Sequence, residues 1–510
     1  MKMLKKVLTE NGWVEGLPAA DPRIIAFKGV PFAVPPVGDL RWRAPQPTKD
    51  WDGVLKCWKF APISMQLKPG LDPTDIYAGE WNVDPEIEQS EDCLYLNVWT
   101  PAKSADDKLP VFVWYFGGGL QVGNTAEMEF DGERIARRGI VVVTVNYRLN
   151  AFGYLAHPEI TAEDPEFPTN FGYLDQRFGT MWVKRNIAAF GGDPENITIG
   201  GQSAGGGSTM AQVASPLNKG LFQKAIVDSG LELMPYESAM FGHLKSLQEA
   251  EEIGKQFFEI LGVKTLKEAR ALPAEYIRDK FVESRIWLSP CCDGHMVTGL
   301  SNELFMKNEA NVVPVMLGHT STEFPSAPAV KTVEEFVEYA KSHYGEDADE
   351  YLRICNSPNG SIKEMLYKAT VQHIEYSARR IGHAKTVTGD PNPVYYWVFD
   401  PEIPGWDNPG TFHSCDLWFF FETLAKCWRP FVGKHYDLAR QMCNYWANFI
   451  KTGDPNGKDA DGSDMPYWKP YTDAEPCRMW FGDTAYTEEK GPSDLVAFLM
   501  KQAEKERRTV

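Results

Sequence analysis

Short, strongly apolar segments recur along the chain and alternate with longer amphipathic segments. Strongly apolar stretches lie at 109–116, 139–147, 224–228, 312–317 and 393–399, and the stretch 109–116 is continuous. Runs of this length predict strands that are covered on both faces of a sheet. Segment 175–190 has apolar residues at helical spacing and ends at Gly191-Gly192. Strands that alternate with helices predict a mostly parallel sheet whose functional edge lies at the strand carboxyl ends.

The pattern differs outside this region. Residues 6–27 alternate polar and apolar positions, which predicts a small antiparallel sheet at the N-terminus. The proline-rich stretch 27–47 predicts neither helix nor strand, and its Arg41 is expected either to pair bidentately with Glu91 or to be solvated. Two more polar stretches, at approximately 234–290 and 331–390, predict helical insertions over the site.

The stretch 196–207 places a serine between a strand and a helix. Residues 196–199 are a β-branched run that predicts a buried strand, and G-Q-S-A-G at 201–205 follows it directly. A G-x-S-x-G motif on so tight a turn holds its serine in strained backbone geometry with the hydroxyl above the sheet. The helix that begins at Ala204 directs its positive end at that hydroxyl. Ser203 is therefore the predicted nucleophile.

A run of three glycines follows the predicted central strand 109–116. Successive glycines leave the backbone free to turn its N–H groups toward a ligand. Ahead of a serine nucleophile, such a run predicts the second wall of an oxyanion hole, in which Gly118 and Gly119 add to the amide of Ala204.

An acid and a histidine are expected further along the chain. Glu323 comes directly after a predicted strand and is the candidate acid, and Asp293 in a turn-like C-D-G is its rival. His413 lies on a predicted loop, and the order serine, acid, histidine favours it as the base. His373 and His383 lie in helical, charged surroundings and are predicted to be surface residues.

Composition restricts the classes of function. The chain has 510 residues, 43% hydrophobic and 24% charged, and contains no repeat or linker-like tract. Its net charge of −18 disfavours binding to nucleic acid or to an anionic membrane surface. No window approaches about 18 consecutive apolar residues, so no membrane-spanning helix is predicted.

Nine cysteines lie at positions 57, 93, 291, 292, 355, 415, 427, 443 and 477. Their odd number, together with an N-terminus that lacks the apolar core of a signal peptide, predicts free thiols and a cytoplasmic protein. Because no C-x-x-C pair occurs, they are predicted to be buried packing residues, and no metal site is expected.

Several long motifs follow one another in order: FKGVPFAVPPVGDLRWRAP, SEDCLYLNVWTP, the glycine run, VNYRLNAFGYL, GYLDQRFGTMWVKRNIAAFGGDPENITIGGQSAGG, LGHTSTEF and FHSCDLWFFF. Over about residues 7–485 the chain resembles the type-B carboxylesterase/cholinesterase family of α/β-hydrolases. The resemblance implies a single α/β-hydrolase catalytic domain over residues 1–510, with a mostly parallel central sheet flanked by helices.

The resemblance also implies roles for individual residues. It implies a catalytic triad formed by Ser203, Glu323 and His413. It implies an oxyanion hole formed by Gly118, Gly119 and Ala204. It implies structural salt bridges in the pairs Arg41–Glu91 and Arg148–Asp175.

Four positions depart from the family pattern. Gln202 stands where Glu is usual, Phe116 where His or Tyr is usual, and Phe324 where Gly is common. These changes bear on the polarity and shape of the pocket. Ser64 lies near the position of the cysteine that usually pairs with the one matching Cys93, so the early disulfide of secreted members is expected to be missing.

The implied reaction is hydrolysis of a small-molecule carboxylic ester through an acyl-enzyme on Ser203, with no cofactor. Phe324 and Phe412 flank the acid and the histidine, which predicts an apolar pocket for short to medium uncharged acyl groups. Aryl, sugar or bulky alcohols are the expected leaving groups. A lipase, an amide or lactone hydrolase, and a non-catalytic cholinesterase-like binding protein stay open as alternatives. The sequence does not indicate the oligomeric state.

Overall fold

The computed structural model describes residues 3–68, 76–81, 84, 86–230, 236, 244–459 and 461–508. Part of the predicted insertion 234–290 therefore lies outside the described residues. The strands are β1 Lys6–Thr9, β2 Gly12–Glu15, β3 Leu17–Pro18, β4 Ile25–Pro31, β5 Val54–Lys56, β6 Tyr95–Thr100, β7 Leu109–Tyr115, β8 Val141–Val145, β9 Gly192–Gln202, β10 Lys224–Asp228, β11 Lys245–Ser246, β12 Cys291–Cys292, β13 Val315–Thr320, β14 Pro325–Ser326, β15 Val371–Gln372, β16 Val394–Phe399, β17 Cys477–Phe481 and β18 Ala485–Glu489.

The helices come between and after these strands. They are α1 Ile76–Glu80, α2 Glu133–Ala136, α3 Asn150–Tyr154, α4 Pro158–Glu163, α5 Phe171–Asn186, α6 Ala204–Ala214, α7 Leu247–Leu261, α8 Leu266–Arg270, α9 Ala274–Ser284, α10 Ser301–Met306, α11 Val333–Tyr344, α12 Ala348–Ile354, α13 Ile362–Lys368, α14 His373–Val387, α15 Leu417–Phe420, α16 Gly433–Thr452 and α17 Asp494–Arg508. Helices α7–α9 and α11–α14 lie within the two stretches predicted as insertions. The division of the chain into domains stays a prediction.

Eleven strands form the central sheet, in the order β18-β17-β16-β13-β10-β9-β7-β8-β6-β4-β3. The pairs from β17 through β16, β13, β10, β9 and β7 to β8 are parallel. The outer pairs at both edges are antiparallel. The α/β-hydrolase fold expected from the sequence is therefore confirmed, with its parallel strands at the centre. The carboxyl ends of β9, β10 and β13 lie side by side at one edge.

Helices cover both faces of this sheet. Alternate residues of β7 enter two separate cores, Phe112 and Trp114 in one and Val111 and Val113 in the other. This explains the continuous apolar run at 109–116, because a strand buried on both faces has no polar side. Helix α16 packs against β7 and β9, and α6 packs against β9 and β10.

The N-terminal segment differs in part from expectation. Strands β1 and β2 form an antiparallel hairpin, as predicted, and β5 adds to β2 in parallel. The prediction that 27–47 contains no strand was wrong at its start, because β4 runs through Pro31 and pairs with β6. Pro31 is the last residue of β4, and a strand end tolerates a residue without an N–H.

Two buried ion pairs hold irregular segments in place. Arg41 donates from Nε and Nη2 to the two oxygens of Glu91, both at 2.6 Å, which confirms the bidentate pairing. Arg148 donates to Asp175 from Nε at 2.8 Å and from Nη2 at 2.7 Å. The Arg148 and Asp175 side chains are 3% and 0% exposed, so each charge depends on the other for compensation.

All nine cysteines are free, and seven of them are buried. The exceptions are Cys292 and Cys427, which are partly exposed. Burial raises the pKa of the Cys57 and Cys427 thiols to about 12, which keeps them protonated and unreactive. Within the described part of the chain, no helix is long and apolar enough to cross a lipid bilayer.

Candidate active site

Ser203 occupies the sharp turn between β9 and α6. Its backbone has φ 56° and ψ −123°, a conformation that non-glycine residues rarely adopt, so the predicted strained geometry is confirmed. Its N–H donates to the carbonyl of Asp228 on the neighbouring strand at 2.9 Å. A Cβ at Gly205 would stand 2.0 Å from the carbonyl oxygen of Tyr115, so only glycine lets α6 start this close to β7.

Three side chains from distant parts of the sequence meet at this turn. Ser203 Oγ–H donates to Nε2 of His413 at 2.8 Å. Nδ1–H of His413 donates to Oε2 of Glu323 at 2.5 Å. His413 and Glu323 are 7% and 4% exposed, so this chain of hydrogen bonds is shielded from water.

The second carboxylate oxygen of Glu323 is also fully bonded. Oε1 accepts from Ser229 Oγ at 2.7 Å, from Thr320 Oγ1 at 2.9 Å and from Thr320 N at 3.1 Å. These donors fix the carboxylate plane and leave Oε2 to His413. Burial disfavours the ionised form of Glu323, but the charge and hydrogen bond of His413 outweigh it and lower the pKa of the carboxyl.

Asp293, the rival acid, lies in a different environment. Its carboxylate accepts from Nδ2 of Asn170 at 2.8 Å and from the backbone N–H groups of His295 and Val297, both at 2.9 Å. These bonds close a turn after β12. The structure thus brings Glu323, and not Asp293, to the histidine.

The glycine run lies against the serine. A Cβ at Gly117 would stand 3.1 Å from Cβ of Ser203. Gly118 has φ 106°, a conformation that favours glycine, and a Cβ there would stand 2.2 Å from the carbonyl oxygen of Val122. The carbonyl of Phe116, just before the run, accepts from Tyr147 Oη at 2.6 Å, which anchors the start of this loop.

A pair of buried aspartates lies behind the triad acid. Asp228 and Asp416 are 0% and 1% exposed, and each carboxyl group lies close enough to the other to shift its pKa. Among the described residues, Asp228 Oδ2 and Asp416 Oδ1 have no hydrogen-bond partner. Two neighbouring buried carboxyl groups that lack donors are favoured in the protonated form. Burial, with the charges of Asp416 and Glu323, raises the pKa of Asp228 well above its ordinary value, and burial with the charge of Glu323 raises the pKa of Asp416 to about 7.

Aromatic side chains lie beside the reacting groups and the glycine run. The ring of Phe324 lies 4.6 Å from the imidazole of His413, and Phe412 contacts Tyr77 edge to face at 6.3 Å. The nearest side-chain atom to a Cβ placed on Gly119 would be Cη2 of Trp287, at 3.8 Å, and the Trp287 side chain is 43% exposed. The space beside the glycine run is therefore bounded by an indole.

Sequence reasoning missed several residues that shape this site. Ser229 and Thr320, which both donate to Glu323, were not predicted. Both are hydroxyl residues at the carboxyl ends of central strands, and that position could have indicated them. Gln202 Nε2 donates to Ser414 Oγ at 2.6 Å, a contact across 212 residues for which the sequence carries no signal.

One of the two histidines predicted to lie at the surface is buried. His373 is 1% exposed, bonds to Ser326 Oγ, and has its pKa lowered by burial to about 4. His383 is partly exposed and contacts Asp473 at 2.7 Å and Glu504 of α17, which agrees with its predicted place at the surface. The charged sequence around His373 belongs to helix α14, in which His373 is one of the buried residues.

The fold and the site geometry together point to one group of proteins. The Carboxylesterase family model matches residues 4–492. The chain belongs to the carboxylesterase family. It is thus a carboxylic ester hydrolase of the serine type, and the non-catalytic alternative falls away. This carboxylesterase carries the serine, acid and histidine in the order that the family resemblance implied.

Curated relatives of this carboxylesterase are named as ester or acyl hydrolases. It is 30% identical to the para-nitrobenzyl esterase of Bacillus subtilis (strain 168), over 88% of this chain and 90% of that protein. It is 36% identical to the fumonisin B1 esterase of Sphingopyxis macrogoltabida, over 68% of this chain and 62% of that protein. It is 30% identical to the medium-chain fatty acyl-CoA hydrolase precursor of Anas platyrhynchos, over 91% of this chain and 86% of that protein.

Solved structures agree with the fold. A PNB esterase aligns with a TM-score of 0.79 at 28% identity, covering 97% of this carboxylesterase and 99% of that chain. A carboxylesterase of Geobacillus stearothermophilus aligns with a TM-score of 0.73 at 29% identity and with the same coverage.

Proposed function

We propose that Ser203, His413 and Glu323 hydrolyse carboxylic esters as a catalytic triad. The observation that carries the proposal is the continuous hydrogen-bond chain from Ser203 Oγ through both ring nitrogens of His413 to Glu323, with steps of 2.8 and 2.5 Å. This chain starts at a strained serine on the carboxyl edge of a parallel sheet, where α/β enzymes hold their substrates.

The proposed reaction has two steps. His413 Nε2 takes the Ser203 proton while Oγ attacks the ester carbonyl carbon. The N–H groups of Gly118, Gly119 and Ala204 donate to the oxyanion of the tetrahedral intermediate. As the intermediate collapses, protonated His413 gives its proton to the leaving alkoxide. Water then attacks the acyl-enzyme with His413 again as the base, which releases the acid and restores the serine.

We propose short to medium uncharged acyl esters of aryl, sugar or bulky alcohols as the substrates. Phe324, Phe412 and Trp287 support this, because an aromatic lining binds apolar groups by burial and supplies few donors for a charged chain. The glycine run adds no side chain beside the carbonyl, which leaves room for a bulky alcohol. The relatives' names, para-nitrobenzyl esterase and medium-chain fatty acyl-CoA hydrolase, agree with a bulky aryl alcohol and a medium acyl chain.

The compartment and partners are part of the proposal. Nine free cysteines suit the reducing cytoplasm. The net charge of −18 agrees with a small uncharged substrate and disfavours nucleic acid as a partner.

The test combines labelling with a substrate panel. A fluorophosphonate probe is expected to label Ser203 alone, and peptide mapping would locate it; label on another serine overturns the triad. The panel compares kcat/KM for acetate, butyrate, octanoate and palmitate esters, for acetates of linear and tertiary alcohols, and for matched amides. We expect the highest values with acetate to octanoate esters. A preference for palmitate indicates a lipase, and a preference for amides indicates an amidase.

A further inference from the structure

The residue before the candidate nucleophile is bonded to the residue after the candidate base. Nε2 of Gln202 donates to Oγ of Ser414 at 2.6 Å. Gln202 is 2% exposed and Ser414 is 6% exposed, so water does not compete for the bond. The contact thus joins the end of β9 directly to the loop that carries His413.

The two partners differ in how firmly the backbone holds them. Gln202 is the last residue of β9, which pairs with β7 on one side and with β10 on the other, where Asp228 is its register partner. Ser414 belongs to the irregular segment between β16 and α15 and has φ 75°, which is unfavourable for a residue with a Cβ. A strained loop residue persists only when its surroundings hold it, and Gln202 is a rigid partner.

We infer that Gln202 and Ser414 are positioning residues, whose hydrogen bond holds the His413 imidazole within reach of Ser203 Oγ. The inference rests on the proposed triad. Because Ser203 follows Gln202 and His413 precedes Ser414, any sliding of the loop along the strand end changes this bond and the 2.8 Å step between Oγ and Nε2 together. A misplacement of about 1 Å in such a step can cost on the order of 10²-fold in rate.

The amide of Gln202 makes this connection without adding charge. The acids around His413 are Glu323 at its Nδ1, and Asp416 and Asp228 behind it. A side chain that is neutral at every pH holds the loop whatever the ionisation of these three acids. Gln202 stands where the family usually has Glu. Its neutral amide donates an N–H to the Ser414 hydroxyl.

A double-mutant cycle tests the inference. Gln202→Met keeps the length of the side chain and removes the amide, and Ser414→Ala removes the hydroxyl. Each is expected to lower kcat on a p-nitrophenyl ester on the order of 10²-fold with KM nearly unchanged, and the double variant to lose little more. Ser414→Gly also removes the hydroxyl, but glycine adopts the positive φ without strain. If Ser414→Gly and Ser414→Ala lower kcat equally, the effect comes from the lost hydrogen bond and not from backbone strain.

Two further variants separate positioning from general loss of structure. Gln202→Glu keeps an oxygen that can accept the Ser414 Oγ–H. Unlike Gln202→Met, it is therefore expected to retain most of the wild-type kcat. Ser377→Ala removes the hydroxyl of another buried amide–hydroxyl pair, in which Asn302 Nδ2 lies 3.2 Å from Ser377 Oγ, and it is expected to leave kcat unchanged. Circular dichroism and thermal midpoints show that each variant is folded.

The outcomes distinguish the inference from the proposed function. Losses that multiply in the double variant, losses that appear in KM instead of kcat, or an equal loss in Ser377→Ala each overturn the positioning role. The proposed function is tested separately by labelling: if the fluorophosphonate probe labels Ser203 of the wild-type protein while the cycle is additive, the triad stands and this inference fails. If Ser203 is not labelled, the proposed function fails first.

Discussion

Ser203 Oγ lies 2.8 Å from His413 Nε2, although 210 residues separate the two in the sequence. If this contact activates the serine, Ser203→Ala and His413→Ala are each expected to lower kcat roughly 10⁶-fold. The double variant should lose little more, because the two residues act as one unit. Steady-state kinetics on a p-nitrophenyl ester measures this. Substantial turnover by Ser203→Ala would contradict the assignment.

The acid is expected to contribute less than the nucleophile and the base. Glu323→Gln keeps the shape of the side chain but removes the charge that holds the histidine tautomer, so kcat should fall on the order of 10⁴-fold. Asp293→Asn is the matched control, because Asp293 closes a turn and does not contact His413. On folded protein it should retain nearly full kcat. Equal losses in the two variants would count against Glu323.

The buried pair Arg148–Asp175 is predicted to be essential for stability. Asp175→Asn leaves the Arg148 guanidinium buried without its counter-charge, so the free energy of unfolding should fall by about 3–5 kcal/mol. Denaturant unfolding followed by circular dichroism measures the change. The exposed pair Lys434–Asp483 is the control, and Asp483→Asn should leave the unfolding midpoint unchanged, since water screens that pair. A midpoint as high as wild type in Asp175→Asn would disprove the prediction.

The Asp228–Asp416 pair predicts a pH dependence of stability. In the folded protein the pKa of Asp228 is raised well above its ordinary value, and that of Asp416 is raised to about 7, chiefly by burial. The folded state therefore holds protons that the unfolded chain has lost above about pH 4. The stabilisation that these protons give to the folded state is fully present below the pKa of the aspartates in the unfolded chain. It is lost as pH rises through their pKa in the folded protein.

The corresponding experiment compares wild type with Asp228→Asn, which is neutral at every pH. Between pH 5 and pH 8 the thermal midpoint of wild type should fall further than that of the variant. Asp483→Asn, at an exposed carboxyl, serves as the control and should follow the wild-type curve. Parallel curves for wild type and Asp228→Asn would contradict a raised pKa of Asp228 in the folded protein.

The thiol count is a separate prediction. All nine cysteines are free in the structure, and seven are buried. Nine thiols should therefore react with a thiol reagent after denaturation without reductant, whereas few should react in the native protein, because burial keeps them protonated and inaccessible. Recovery of seven or fewer from a freshly prepared, non-oxidised sample would indicate a disulfide.

Local sequence was sufficient for the features that depend on neighbouring residues. The β-branched run before Ser203 and the small residues after it determine a strand, a tight turn and a helix, whatever the rest of the chain does. The continuous apolar run of β7 likewise indicates a strand with two buried faces. The order of serine, acid and histidine, together with the family resemblance, was enough to select Glu323 and His413 as candidates.

Only the tertiary structure decided which of these residues meet. Glu323 and Asp293 each follow or precede a short strand, and neither has a local pattern that says which one reaches His413. His373 was misjudged because the charged residues near it in sequence, such as Arg379 and Arg380, are themselves buried on α14. The Gln202–Ser414 bond and the Asp228–Asp416 pair join segments about 200 residues apart. Such contacts depend on how strands order themselves in the sheet and how loops return to its edge, which no local pattern of residues encodes.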